Sequence, residues 1–276
     1  MTDTAKSMSP QKAVGLAGAT GLASGLGGQG AREIAAIIAV AVLVIGGGEF
    51  LLRYFEVPQF ILPTPSKIAA VFFSPEIGTI LQHYGYTLVE LFSGYAIGAS
   101  IGLALAAIIT QFPFVEKVIT PYILLLVTTP MLALVPLLIL NFGFGYAPRI
   151  IAVALASGPM VMINSATGFR RVDLMKLALA KSYGASTLQI FSTIRVPMAM
   201  PMVIVGLMIG AIFGMITAVG AEMSGGGFGL GSRLTTYSST LRMPEFFACI
   251  LILAVTGIGI YVFFFWLGKK LAGWES

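Results

Sequence analysis

The sequence predicts an all-α, polytopic membrane protein with about six transmembrane helices. Three observations carry that prediction. Of 276 residues, 57% are hydrophobic and only 10% are charged, far below the roughly 25% that covers a water-soluble surface. Stretches free of Asp, Glu, Lys and Arg run over 34–48, 91–115, 118–148, 150–169, 196–221 and 246–268. Within them, runs such as Ile123-Leu124-Leu125-Leu126-Val127 are apolar on every side, whereas barrel strands alternate. Backbone polar groups in lipid must be satisfied inside the segment, which leaves helices. A soluble enzyme with a charged surface is excluded.

The same composition narrows the chemistry. One histidine (His83), one cysteine (Cys249) and two aspartates (Asp3 and Asp173) cannot build a His/Cys metal cluster, a disulfide framework or a thiol redox pair. No metal and no cofactor is expected. The net charge of +5 comes from basic residues scattered between apolar runs, without a patch that nucleic acid would need. Their expected role is to orient the chain in the bilayer.

Taken in order, residues 1–30 are a Gly-rich tail too poor in bulky apolar side chains for a secretory signal. Residues 31–79 hold the first span and an external segment. The span covers Ile34–Gly48 and extends to Leu52 if Glu49 lies near the interface. Pro58, Pro63 and Pro65 preclude a regular helix in the segment that follows, and Ile68–Phe73 reads as an amphipathic stretch along the interface. Residues 80–268 contain the remaining five spans, and 269–276 form a short tail. With the N-terminus inside, the inner side carries Lys6, Lys12, Arg32, Lys117, Arg170, Arg171, Lys176, Lys181, Arg195, Lys269 and Lys270. The outer side has only Arg53, Lys67, Arg149, Arg233 and Arg242. Both termini are therefore expected in the cytoplasm.

The informative inner loop is 169–197. Leu174, Leu177, Ala178 and Lys181 follow helical spacing. Gly184 can take a positive φ and end that helix, and Ser186 can cap a second one. Leu188, Phe191 and Ile194 would form the apolar stripe of the second helix, and Pro197 would mark the start of the next span. Two short helices joined by a glycine bend project from the membrane. The residues alone leave two readings open: a connector resting on anionic headgroups, or a docking site for a cytoplasmic partner.

The loop resembles the cytoplasmic motif of ATP-binding-cassette (ABC) importer permeases: Glu-Ala-Ala, three residues, Gly, nine residues, Ile, any residue, Leu-Pro. Ala178-Leu179-Ala180, Gly184 and Ile194-Arg195-Val196-Pro197 keep that spacing. Ala178 replaces the usual Glu, Leu179 the middle Ala, and Val196 the Leu. Leu62-Pro63-Thr64-Pro65, Pro136–Gly143 and Ala221-Glu222-Met223 with Gly225–Gly231 are similar to the nitrate, sulfonate, taurine and bicarbonate branch. The resemblance runs from about Tyr86 to the C-terminus. It implies that Ala178, Lys181, Ser182, Tyr183, Gly184, Ala185, Ser186 and Pro197 form a coupling loop gripped by an ATPase subunit. The implied assembly has two ATPases, a second permease copy as a homodimer, and a periplasmic or surface-tethered substrate-binding protein, all at the bacterial inner membrane. The chain itself would be a transport subunit and no enzyme. Ala178 leaves one polar anchor of the loop unaccounted for.

Other signals weigh less. Gly25–Gly30 fits G-x-G-x-x-G but lacks the βαβ context that gives it meaning. Ser224-Gly225-Gly226-Gly227 has the look of an ABC ATPase signature, yet the chain has no phosphate-binding G-x-x-x-x-G-K-[ST], so it reads as a flexible outer loop. Gly94, Gly98 and Gly102, and Gly206, Gly210 and Gly214, recur every four residues and predict close helix packing. Prolines 130, 136, 159 and 201 predict kinks. Glu90 and Glu222 fall near outer span ends. They are expected to reach water or to pair with Arg149, Arg233 or Arg242, as structural anchors more than substrate ligands. Asn141, Asn164 and Ser165 are candidates for pathway lining, with interhelical hydrogen bonding as the alternative, and His83 is expected in solvent. The expected function is the permease subunit of an ATP-driven importer for a small nitrate-, sulfonate- or taurine-like anion. The alternatives are a vitamin-precursor or aromatic-acid permease and a stand-alone secondary transporter.

Overall fold

A computed structural model describes residues 31–272. The described elements are α1 (Ala31–Tyr54), α2 (Pro65–Val71), α3 (Glu76–Gln111), α4 (Pro113–Thr128), α5 (Met131–Phe142), α6 (Tyr146–Arg170), α7 (Leu174–Ser182) and α8 (Thr187–Ile190). A π-helical turn (Phe191–Arg195) then leads into α9 (Val196–Gly225), α10 (Leu230–Ser239) and α11 (Met243–Ala272). No strand occurs among the described residues. The expected tail 1–30, with its G-x-G-x-x-G match, lies outside them.

Five helical runs are long and apolar enough to cross a membrane: those of α1, α3, α6, α8–α9 and α11. The expected span over 118–148 is not one helix. It is broken into α4 and α5, which meet at a 95° bend and make a sixth crossing only if counted together. Pro130 causes the break. It has no N–H to continue α4 and forces its predecessor out of the helical region; Thr129 is extended, at φ −77° and ψ 126°. By contrast Pro121, Pro136, Pro159 and Pro201 all lie inside helices.

The described chain divides into two compact units. One holds the part up to Pro58 with Thr64–Ser66. Within it, Glu49 accepts hydrogen bonds from Arg53 Nε at 2.7 Å, Ser66 N at 2.9 Å and Ser66 Oγ at 2.7 Å. That carboxylate ties the end of α1 to the proline-rich segment just where α2 begins.

The other unit, Gln59–Pro63 with the part from Lys67 on, is organised around α6. Gly94, Gly98 and Gly102 of α3 face it directly: a Cβ on Gly94 would lie 2.6 Å from Val153 Cβ, and one on Gly98 would lie 2.6 Å from Ala154 O. Likewise, a Cβ on Gly206 of α9 would come within 2.9 Å of Asn164 Cβ, and one on Gly210 within 2.6 Å of Val161 Cγ2. The glycines every four residues thus let α3 and α9 both approach α6 backbone to backbone, as small residues do in lipid. Ala106, Ile109, Ile123, Met162, Ala166, Phe169, Ala199 and Val203 form the apolar core at one end. Val71, Ile80, Leu230, Leu234, Tyr237, Ala248 and Cys249 form it at the other.

Candidate functional site

The segment between α6 and α9 is built by local rules. Asp173 Oδ1 accepts from Met175 N at 2.9 Å and caps α7. Gly184, at φ +80°, ends it: Ala185 N donates to Ala180 O and Gly184 N to Lys181 O, the paired bonds of a glycine-terminated helix. Two residues later Ser186 Oγ accepts from Gln189 N, and Gln189 Oε1 accepts from Ser186 N, a reciprocal cap that starts α8. The side chains of Tyr183, Met175, Leu188 and Leu179 stand 84%, 79%, 77% and 59% exposed. Ala178, Lys181, Ser182, Gly184 and Ser186 are exposed too, and Ala185 is half-buried.

Behind this surface the segment is anchored. Arg170 pairs with Glu116 at 2.7 Å, Arg195 Nη1 donates to Thr110 O at 3.3 Å, and the Phe169 and Phe191 rings stand 5.2 Å apart. Pro197 lies in the first turn of α9, as expected, but α9 does not begin after a loop. Val196 N donates back to Phe191 O, and this π turn carries α8 into α9 without a break, exposed Pro197 included. A proline has no N–H to give its i−4 carbonyl, and a widened turn just before it absorbs that loss. Leu188 of the expected apolar stripe is exposed, whereas Ile190 is buried.

At the opposite end of α6 lies a polar cluster that the sequence only partly indicated. His83, Thr87 and Glu90 lie on one face of α3, since spacings of three and four residues repeat a helix face. Three consecutive N–H groups begin α10, and each is capped by another element. Gly229 N donates to His83 Nδ1 at 3.0 Å, Leu230 N to Thr87 Oγ1 at 2.9 Å, and Gly231 N to Glu222 Oε2 at 2.7 Å. Arg149 donates to Glu90 Oε1 at 2.8 Å, Phe228 O at 3.0 Å and Gly226 O at 2.5 Å. Its guanidinium carbon also lies 4.2 Å from the centre of the Phe228 ring. Gly226, Gly227 and Gly229 take φ of +60°, +85° and +93°, a region that side chains resist.

Two expectations are corrected here. His83 is buried, not in solvent, because its ring is the acceptor for Gly229 N. The glycine-rich segment 225–231 is held by hydrogen bonds from three helices, α3, α6 and α9, and is no loose loop. Glu90 and Glu222 are fully buried and serve as the expected structural anchors. Glu90 pairs with Arg149, whereas Glu222 forms no ion pair among the described residues and accepts from a backbone N–H. Arg242 instead joins Glu76 and Glu245 beside Tyr237, whose phenol donates to Glu76 at 2.8 Å. Burial, then that hydrogen bond, pushes the Tyr237 phenol well above its ordinary range.

The remaining polar candidates are not brought together. Asn141 is exposed and donates to Leu137 O of its own helix; Asn164 does the same to Met160 O. Ser165 is fully buried and its hydroxyl has no partner among the described residues. A cavity of about 300 Å³ opens at the α4–α5 bend, lined by Thr129, Pro130, Met160, Phe213 and Thr217 among others, and by none of those three residues.

Comparison with known proteins places this architecture. The family model described as "Binding-protein-dependent transport system inner membrane component" matches residues 79–273. The chain is 29% identical over 217 residues to the aliphatic sulfonates transport permease protein SsuC of Bacillus subtilis, covering 78% of this chain and 79% of that protein. It is 28% identical over 202 residues to the taurine transport permease TauC of Escherichia coli, covering 72% of each. It is 27% identical over 220 residues to the riboflavin transport permease RibX of Chloroflexus aurantiacus, covering 79% and 82%. Among solved structures, an inward-facing MetNI methionine ABC transporter shares the fold at TM-score 0.57 and 15% identity, over 71% of this chain and 95% of that one. An amino acid ABC transporter with histidines does so at TM-score 0.56 and 20% identity, over 75% and 96%. With its helices, its projecting pair α7–α8 and this match, the chain belongs to the binding-protein-dependent inner membrane components, the permease subunits of ABC importers.

Proposed function

We propose that two copies of this chain form the pathway of an ABC importer for a small organic anion of the sulfonate type, in the bacterial inner membrane. In this reading both termini and the α7–α8 pair face the cytoplasm, where two ATPase subunits dock. The 226–229 turn faces outward, toward a separate binding protein. One observation carries the docking: Tyr183, Met175 and Leu179 in and at the end of α7, and Leu188 in α8, are exposed on a capped, glycine-bent helical pair that also exposes Lys181. Large apolar side chains grouped at a polar end of a membrane protein are the signature of a partner surface. ATP binding would draw the ATPases together and move these helices. The cycle then depends only on how differently the binding protein and the ATPases interact with the two states of the permease.

The sulfonate and taurine relatives support the substrate class, at 29% and 28% identity. The riboflavin relative, at 27%, supports a second reading, a vitamin permease. Uptake into vesicles holding the full complex separates them. Competition by taurine and short alkanesulfonates, with none by riboflavin, is expected; the opposite pattern would replace the first reading by the second.

A further inference from the structure

α6 and α9 form one antiparallel frame from membrane face to membrane face. At the cytoplasmic end of the proposed orientation, α6 runs into α7 through Arg171–Asp173, and α8 runs into α9 through the π turn. Along their length the contact is close at every step. A Cβ on Gly168 would lie 2.8 Å from Met202 Cβ, one on Gly206 2.9 Å from Asn164 Cβ, and one on Gly214 3.3 Å from Val153 Cγ1. Packed surfaces this close switch between discrete arrangements and do not slide continuously.

At the outer end the 226–229 turn leaves α9 directly, but α9 alone does not shape it. A turn with three left-handed glycines has little stiffness of its own. Its carbonyls at Gly226 and Phe228 are both held by Arg149 of α6, on whose guanidinium the Phe228 ring also stacks. Arg149 is in turn fixed by Glu90, with the two side chains 3% and 0% exposed. His83 of α3 and Glu222 of α9 hold the N–H groups at the α10 end of the turn, whereas its carbonyls at Gly226 and Phe228 are tied to α6 through Arg149. We infer that Arg149 is the positioning residue that makes the outer 226–229 turn move with α6. Motion imposed on the α7–α8 pair by the ATPases thereby reaches the face where the binding protein delivers substrate. The inference rests on the docking and orientation proposed above.

Hydrogen exchange on the reconstituted complex, with and without ATP, tests it. In the wild type, ATP should change exchange at both 174–190 and 226–231. Replacing the buried pair by the neutral amides Glu90→Gln and Arg149→Gln should preserve the response at 174–190 and abolish it at 226–231. Stimulation of ATP hydrolysis by the loaded binding protein should fall about tenfold, a typical coupling between distant sites. Joint response of both segments with undiminished stimulation would overturn the inference. Should the double variant not assemble, Arg149→Lys decides by the same readout. It keeps a cation beside Glu90 but cannot span the two carbonyls, so loss at 226–231 supports the inference and retention overturns it. A wild type in which 174–190 does not respond to ATP would contradict the docking itself, and this inference with it.

Discussion

Arg149 Nη1 lies 2.8 Å from Glu90 Oε1, with the two side chains 3% and 0% exposed. An ion pair removed from water repays its desolvation only when geometry and extra hydrogen bonds are good. Arg149 meets that condition with two backbone carbonyls and an aromatic face. Glu90 meets it only in part, since its Oε2 has no hydrogen-bond partner among the described residues.

Removing one member of the pair should therefore cost more than neutralising both. Arg149→Ala is expected to lower stability in detergent by about 3–5 kcal/mol, the usual penalty for stranding a buried charge. The double amide variant should lose clearly less. Thermal unfolding of the purified chain measures both; equal losses would show that charge pairing is not what holds this cluster.

Gly210 faces Val161 and Ser157 where a Cβ would come within 2.6 Å. Gly210→Leu should push α9 away from α6 and cost about 1–3 kcal/mol, as overpacking does. Gly259 has nothing within 4 Å of a Cβ, so Gly259→Leu in the same unfolding assay should be nearly silent.

Gly184→Val should uncouple ATP hydrolysis from transport, because a β-branched residue resists φ near +80°. The readout is substrate-stimulated hydrolysis alongside uptake in reconstituted vesicles. Unchanged stimulation and uptake would remove the bend from the coupling account. Ser186→Ala, which deletes half of the reciprocal cap, should act more gently. A lost cap costs about 1 kcal/mol, or about fivefold faster exchange of the α8 amides if that opening controls exchange.

Orientation is tested by single cysteines at exposed positions 181 and 235, in a background where buried Cys249 is replaced by Ser. An impermeant thiol reagent should reach 235 from outside and 181 from inside. The reverse would invert the topology.

The helical character of the chain was legible because lipid leaves the backbone few choices, and hydropathy reports that directly. Gly184 and Ser186 were legible for another reason: a left-handed bend and a helix cap are local events, fixed by the residue itself. What sequence reading missed is tertiary. A charge-free stretch over 118–148 hides the break at Pro130, since proline is tolerated in many spans, as Pro121, Pro136 and Pro159 are here. The burial of His83 and the capping role of Thr87 depend on α10 beginning beside α3, more than a hundred residues away in sequence. Only the spacing of 83, 87 and 90 on one helix face could have hinted at a shared partner. The π turn at Phe191–Arg195 left no mark besides Pro197.

The central claim is that a separate ATPase drives transport through this chain. Uptake against a gradient, compared in vesicles holding the permease alone and the permease with its ATPases and binding protein, tests it most directly. Accumulation only in the complete assembly, and only with ATP, is the predicted result. Concentrative uptake by the lone polypeptide on an ion gradient, or nucleotide cleavage by it in purified form, would contradict the account.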